Sequence, residues 1–285
     1  LGPIDFRLLE RLSLANGSLY YRMETTHEGF LTLQVDVPKP SKSARLRLYD
    51  ADPVETDEPA ILEQSSLDDG NQRIDWEVAA GQTYYIEVYG NNEDFDLRIA
   101  NLVHHGGTTV TVHGTDSTDT FEFNAAASRD VTINGIRYHF DDAQVELVTF
   151  NGGDGYDMAI LDDSVGDDTL TAEEKHAVFS NSDQTPGFTV TMDGFEELHA
   201  YAQAGGHDKA DLYDSDAKDK FKSEPAENYA KMYGGRMYNR VKFFDVVEAF
   251  SSGEKDLARI FDTQGNDLFE GQQDVSWLRT DVFDV

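Results

Sequence analysis

Between residues 19 and 99, apolar side chains recur at every second position. Leu31, Leu33, Val35 and Val37 form one such run, followed by Ala44, Leu46 and Leu48, and by Ile74, Trp76 and Val78. Tyr84, Ile86 and Val88, then Phe95, Leu97 and Ile99, continue the pattern, and Leu19, Tyr21 and Met23 begin it. A period of two places one set of side chains on one face of an extended chain, which predicts half-buried strands. Turn-forming clusters divide them: Pro38-Lys39-Pro40-Ser41, Asp68-Asp69-Gly70-Asn71, Ala80-Gly81 and Gly90-Asn91-Asn92. About seven short strands so spaced predict an antiparallel, jelly-roll-like β-sandwich over residues 1–103.

From residue 104 to 285 the period of two persists, and a much longer period overlies it. DMAILDDSVGDDTL starts at Asp157, DKADLYDSDAKDKF at Asp208 and DLARIFDTQGNDLF at Asp256, at offsets of 51 and 48 residues. A weaker copy, TDSTDTFEF from Thr115, precedes them, and VELVTF, FEELHAY and FDVVEAF recur in frame ahead of the Asp-x-Ala segments. Fixed-period self-similarity built from short strands predicts a β-solenoid of about fifty-residue units, each fitting two coils of three strands. Only Thr171–Phe179 offers an amphipathic helix as a competitor. In a stacked coil each position lies above its own copy. Ala159, Ala210 and Ala258 are therefore expected to line one narrow corner, and Asp163, Asp214 and Asp262, each followed by Ser or Thr, a polar ladder.

Composition narrows the function. The 285 residues carry 55 Asp plus Glu against 23 Lys plus Arg, a net charge of -32, which repels nucleic acid and anionic membrane. Divalent cations or high salt relieve such self-repulsion, so a secreted or cell-surface setting is expected. No cysteine is present, which removes disulfides and thiol chemistry. No apolar run is long enough to cross a bilayer. The opening Leu1-Gly2-Pro3 is read as a processed start or the edge of an excised piece.

The stretch NGGDGYDMAILDDS, from Asn151 to Ser164, concentrates glycines and carboxylates. Within it, GGDGYDMAI resembles the calcium-binding RTX nonapeptide, with Asp157 in the aspartate position, but the partner repeat nine residues on is missing. Calcium is a hard cation that takes several oxygen ligands. The candidate ligands are Asp154, Asp157, Asp163, Asp208, Asp214, Asp256 and Asp262, together with Asp50 and Asp52 in an acidic loop that also holds Glu55, Asp57 and Glu58. Arg236, Tyr238, Arg240 and Lys242 alternate on one predicted strand and form the notable basic cluster. They suit contact with a polysaccharide, or the base of a lyase. Tyr85 and Tyr89 flank Glu87 on the outward face of another strand and suit a sugar or partner contact. His104-His105-Gly106-Gly107 reads as an inter-domain linker, and no HExxH, GxSxG or phosphate-loop pattern occurs.

AGQTYYIEVYGNNEDFDLRI, from Ala80, and LRLYDAD, from Leu46, resemble the strands of bacterial pre-peptidase C-terminal domains. That resemblance implies an accessory, non-catalytic sandwich of the kind attached to secreted hydrolases and surface proteins. The second half resembles repetitive parts of large exported bacterial proteins, including those of planctomycetes. The expectation is a non-catalytic extracellular structural or adhesive module with calcium-stabilised acidic turns, associating with itself or with neighbouring domains. A strand-like terminus, WLRTDVFDV, would supply an uncapped edge for such pairing. The alternative is a polysaccharide-active β-helix enzyme or a carbohydrate-binding module.

Overall fold

The computed structural model describes residues 1–37, 43–68, 71–126, 128–252, 255–265, 268–271 and 276–279. The turns predicted at Pro38–Ser41 and Asp69–Gly70, and the terminus beyond Arg279, lie outside them. The chain is all-β and separates into two compact units, Leu1–His105 and Gly106–Val285.

The first unit holds β1 (Gly2–Ile4), β2 (Phe6–Thr25), β3 (Gly29–Asp36), β4 (Ser43–Tyr49), β5 (Ile61–Gln64), β6 (Ser66–Asp68), β7 (Asn71–Val78) and β8 (Thr83–Gly106). Two long strands organise it. β8 runs antiparallel to β2 along most of its length, pairs with β4 through its first half and with β3 through its second. β5 extends the first half and β7 and β6 the second. The alternating residues of both halves meet in one core, where Leu33, Val35, Leu46, Leu48, Ile86, Val88 and Leu97 are all fully buried. The sandwich follows directly from the period of two.

The second unit holds β9 (Thr109–His113), β10 (Thr120–Asn124), β11 (Asp130–Ile133), β12 (Ile136–Tyr138), β13 (Leu147–Asn151), β14 (Met158–Asp162), β15 (Asp168–Ala172), β16 (His176–Asn181), β17 (Phe188–Asp193) and β18 (Glu197–Tyr201). It continues through β19 (Lys209–Tyr213), β20 (Lys220–Glu224), β21 (Tyr229–Gly234), β22 (Met237–Lys242), β23 (Val246–Phe250), β24 (Leu257–Ile260) and the hairpin β25 (Leu268–Gly271) and β26 (Ser276–Arg279). One layer carries β9-β13-β17-β16-β15-β19-β23 and the other β12-β11-β10-β14-β18-β22-β21-β20-β24. This is a β-solenoid. Its repeating unit is a set of five strands, β10 to β14, β15 to β19 and β20 to β24. The first three strands make an antiparallel meander in one layer, the fourth crosses to the other layer, and the fifth returns. In the next unit the layers exchange roles, as a two-fold screw would exchange them.

That alternation overturns the copy-on-copy stacking expected of a fifty-residue period. Ala159 lies between Phe121 and Leu198, Ala210 between Leu170 and Val247, and Ala258 beside Phe221, so the three alanines never touch. Ala258, near the end of the ladder, is exposed rather than buried. The recurring small residue has another cause. In every unit the fifth strand pairs with the first, and each alanine sits beside a large apolar side chain, Phe121, Leu170 or Phe221. A bulky residue next to a small one fills the space between the layers without a void. Phe121 in turn stacks on Phe150, with ring centroids 4.6 Å apart. Thr171–Phe179 is not a helix but the end of β15, a tight turn and the start of β16, the turn closed by the Glu173 N–H donating to the His176 carbonyl at 2.8 Å.

The glycines of Asn151–Ser164 serve close approach of consecutive coils. A Cβ on Gly114 would lie 1.9 Å from the Gly152 carbonyl oxygen, and one on Gly152 would lie 2.3 Å from that of Gly194. Backbone therefore rests on backbone through three coils. Gly152→Ala is expected to lower the unfolding free energy by about 1–3 kcal/mol, the usual cost of forcing atoms into a filled space. Gly17→Ala, where a Cβ meets nothing within 4 Å, should shift it by less than about 0.5 kcal/mol. Urea unfolding of both variants checks this, and equal midpoints would refute the close-approach account.

Candidate cation-binding corners

Each long corner leading into the first strand of a unit has the same internal wiring. A Ser or Thr donates both its N–H and its hydroxyl to the aspartate four residues on. Thr115 does so to Asp119 at 2.6 and 3.0 Å, Ser164 to Asp168 at 2.9 and 2.8 Å, and Ser215 to Asp219 at 2.8 and 2.8 Å. Each of these aspartates then passes its own N–H to a carboxylate on the next coil: Asp119 to Asp157 at 2.8 Å, Asp168 to Asp208 at 2.8 Å, and Asp219 to Asp256 at 2.9 Å. The relay continues from Asp157 to Glu196 at 2.9 Å and from Asp208 to Asp245 at 2.8 Å. Carboxylates thus accept the orphan amides that every corner exposes.

Two corners gather three carboxylates each. Asp163, Asp168 and Asp208 offer oxygens within 4.8 Å of one another, as do Asp214, Asp219 and Asp256. Asp163, Asp168 and Asp208 are all buried, and so is Asp219. Asp163 and Asp214 also accept loop amides of the neighbouring coil, from Ala204 at 2.9 Å and Ser252 at 2.7 Å. They do not stack on each other, which corrects the ladder expected of Asp163, Asp214 and Asp262; each instead ties its own corner to the next coil. One oxygen of Asp168 and one of Asp219 are enclosed with no hydrogen-bond partner. A buried carboxylate oxygen without a donor is costly, and a hard cation coordinated by oxygens satisfies it. Burial, then the neighbouring carboxylates, push Asp208 up to about 7, while burial and Asp163 push Asp168 up to about 6.

The first corner is an internal comparison. Gly114 stands where Asp163 and Asp214 stand in the later copies, so only Asp119 and Asp157 remain of the triad. Asp157 also encloses one oxygen without a hydrogen-bond partner, but here the protein places its own cations one step along the relay. Lys175 lies 3.1 Å and Arg236 3.6 Å from Glu196, the carboxylate next in the relay. Burial opposes ionisation of Glu196, but the Asp157 amide, Lys175 and Arg236 together hold it below the usual range. Among the described residues no Lys or Arg forms an ion pair with the six aspartates of the two complete triads. Loss of the third aspartate and gain of fixed positive charge occur together.

The other sequence candidates lie elsewhere. Asp154 is exposed on the glycine turn, Asp262 is exposed past β24, and neither joins a triad. Asp50 is exposed, and Asp52 caps its own loop by accepting the Val54 N–H at 2.9 Å. Arg236 lies in the turn before β22 and donates to the Gly155 carbonyl at 3.0 Å, while Tyr238 faces outward from β22 against His199. In the first unit, Tyr85 and Tyr89 are half-buried, and the Arg47 guanidinium covers the Tyr89 ring at 4.0 Å. Between the two tyrosines, the nearly buried Glu87 collects Ser18 at 2.6 Å, Tyr49 at 2.8 Å, Tyr20 at 3.1 Å and Arg47 at 3.2 Å. Sequence reasoning missed Asp168 and Asp219 as ligands, although the Ser-x-x-x-Asp spacing repeated in both copies. It missed Glu87 because its partners come from two other strands, β2 and β4.

A carboxyl group whose folded-state value is raised binds its proton more tightly in the folded than in the unfolded chain. Its stabilisation is complete below the ordinary value of 3.8 and is lost as pH climbs through about 6 for Asp168 and about 7 for Asp208. Groups held low, such as Asp256, change only below that window. The chelated protein is therefore expected to lose stability steadily from about pH 4 to about pH 7. Urea midpoints at constant ionic strength measure it, and midpoints that rise across the window would contradict the assignment.

No family model matches the sequence, and no curated protein is similar to it. Several solved structures are similar over part of the chain, among them the following two. The pre-peptidase C-terminal domain of collagenase from Bacillus anthracis is 12% identical, covering 35% of this chain and 90% of that one, with a TM-score of 0.26. PliG of Aeromonas hydrophila, a periplasmic inhibitor of g-type lysozyme, is 15% identical, covering 34% of this chain and 92% of that one, with a TM-score of 0.27.

Proposed function

We propose that this chain is a non-catalytic structural and adhesive module of a secreted or surface-exposed protein, whose solenoid is held rigid by calcium at its aspartate corners. One observation carries the reading: the buried carboxylates are engaged by backbone amides of the adjoining coil. Asp157, Asp163 and Asp208 each join two coils in this way, accepting the N–H groups of Asp119, Ala204 and Asp168, which is chemistry that fastens a scaffold. Calcium at Asp163–Asp168–Asp208 and Asp214–Asp219–Asp256 would bring the aspartates of successive corners onto one ion, so each ion locks one unit to the next. The net charge of -32 favours the same role, since bound divalent cations reduce self-repulsion. Self-association or contact with neighbouring domains would use the strand edges of the solenoid.

The alternative, a polysaccharide-active enzyme, has less support. Arg236 is committed to Gly155 and Glu196, which leaves it no freedom to act as a base.

A ligand that binds only the folded state must stabilise it, by about 2.7 kcal/mol at one hundred times its dissociation constant for one site. Millimolar calcium is therefore expected to raise the melting temperature relative to chelator. Asp168→Asn and Asp219→Asn should each remove about half of the increment, whereas Asp154→Asn should leave it intact. A melting temperature indifferent to calcium sinks the metal reading.

A further inference from the structure

The outer face of the layer formed by β18, β22, β21, β20 and β24 carries a feature at odds with the rest of the chain. Strand register brings Arg259 beside Lys222, Lys222 beside Lys231, Lys231 beside Arg240, and Arg240 beside His199. Five nitrogenous side chains thus lie in one straight row across five strands. At a strand spacing of about 4.8 Å the row is about 19 Å long. Like charges directly opposite each other destabilise a sheet, so the row is a cost to folding when nothing covers it.

The row is only partly neutralised from within. Lys222 pairs with Glu224, which lies near Lys231 as well, and His199 contacts Glu197 at 2.6 Å. Among the described residues Lys231 and Arg240 form no ion pair. Their polar partners are tyrosine hydroxyls, Tyr238 at 3.4 Å and Tyr201 at 3.5 Å. The Arg240 Nε and the His199 Nδ1 are enclosed with no partner. Tyrosine rings flank the row: Tyr233 and Tyr238 are in register on one side, and Lys231 lies 4.8 and 5.0 Å from their centroids. The aromatic faces hold the lysine stem and leave a flat, amphipathic rim.

We infer that this cationic row with its tyrosine rim is a binding site for a linear anionic polysaccharide lying across the strands. Anionic groups along such a chain match a straight row of cations, and sugar rings match the adjoining tyrosines. The acidic remainder of the molecule repels every polyanion at long range, so what favours a polysaccharide over a polyphosphate is the tyrosine rim, against which sugar rings can lie. The proposal deepens the adhesive reading and rests on it, by naming what the module adheres to.

Native electrophoresis through gels containing dextran sulfate, polygalacturonate or neutral dextran tests it, at about 50 mM salt and again at about 200 mM. The wild-type chain should be retarded by one or both anionic polymers and not by neutral dextran, and the effect should weaken at the higher salt. The arm that retards distinguishes sulfate esters from uronates. Lys231→Gln with Arg240→Gln should weaken binding about tenfold, and Lys231→Gln alone reads the same direction if the double variant folds poorly. No retardation of the wild type, or equal retardation of folded variants, overturns the proposal. Equal retardation by single-stranded DNA overturns it as well, as does self-association that the double variant abolishes while no polysaccharide binds. The calcium response of the melting temperature is read on the same samples. If it persists while polysaccharide binding fails, the scaffold reading stands and the row is not its ligand site.

Discussion

The structure depends on one interaction: a carboxylate on one coil accepting the backbone N–H of the coil beside it. A solenoid must turn its chain at every corner, and each turn exposes amides that the strand ladders cannot pair. In this chain Asp157, Asp208 and Asp256 take up those amides from Asp119, Asp168 and Asp219. The solution concentrates negative charge where the coils are closest. Everything distinctive about the second unit answers that concentration, whether by Lys175 and Arg236 beside Glu196 or by triads suited to a divalent ion.

Much of this was legible in the sequence, and the part that was not has a physical reason. The strands of both units follow from period-two alternation, and the fifty-residue repeat is a genuine five-strand unit. What the repeat could not reveal is which strands become neighbours. Stacking is set by hydrogen-bond register between layers, and copies that are equivalent in sequence fall in opposite layers. Ala159 and Ala210 are equivalent in the chain and remote in the sheet, while Ala159 and Phe121 are unlike in sequence and adjacent in space. Proximity in a sheet belongs to pairing, and similarity belongs to descent of the unit.

The same distinction explains the sites. Asp163, Asp208, Asp214 and Asp256 were visible because they recur beside an Ala-x-Leu/Ile strand. Asp168 and Asp219 recur as well, but their importance comes from Ser164 and Ser215 turning them inward, which only the folded corner displays. The glycines of Asn151–Ser164 looked like an ion-binding turn and prove to be a contact surface between Gly114, Gly152 and Gly194. The cationic row was the hardest to foresee. Lys222, Lys231 and Arg240 become collinear only through antiparallel pairing, and Arg259 joins them through a parallel pair.

Alternation of the meander between layers gives the molecule a parity. Removing or inserting a single five-strand unit would not merely shorten or lengthen the solenoid; it would turn every downstream element over to the opposite face. An odd change in unit number would carry a cationic row such as that of β18 to β24 to the other side, whereas an even change would leave all faces where they are. Growth of such a protein by duplication is therefore constrained to pairs of units wherever both sides of the solenoid matter.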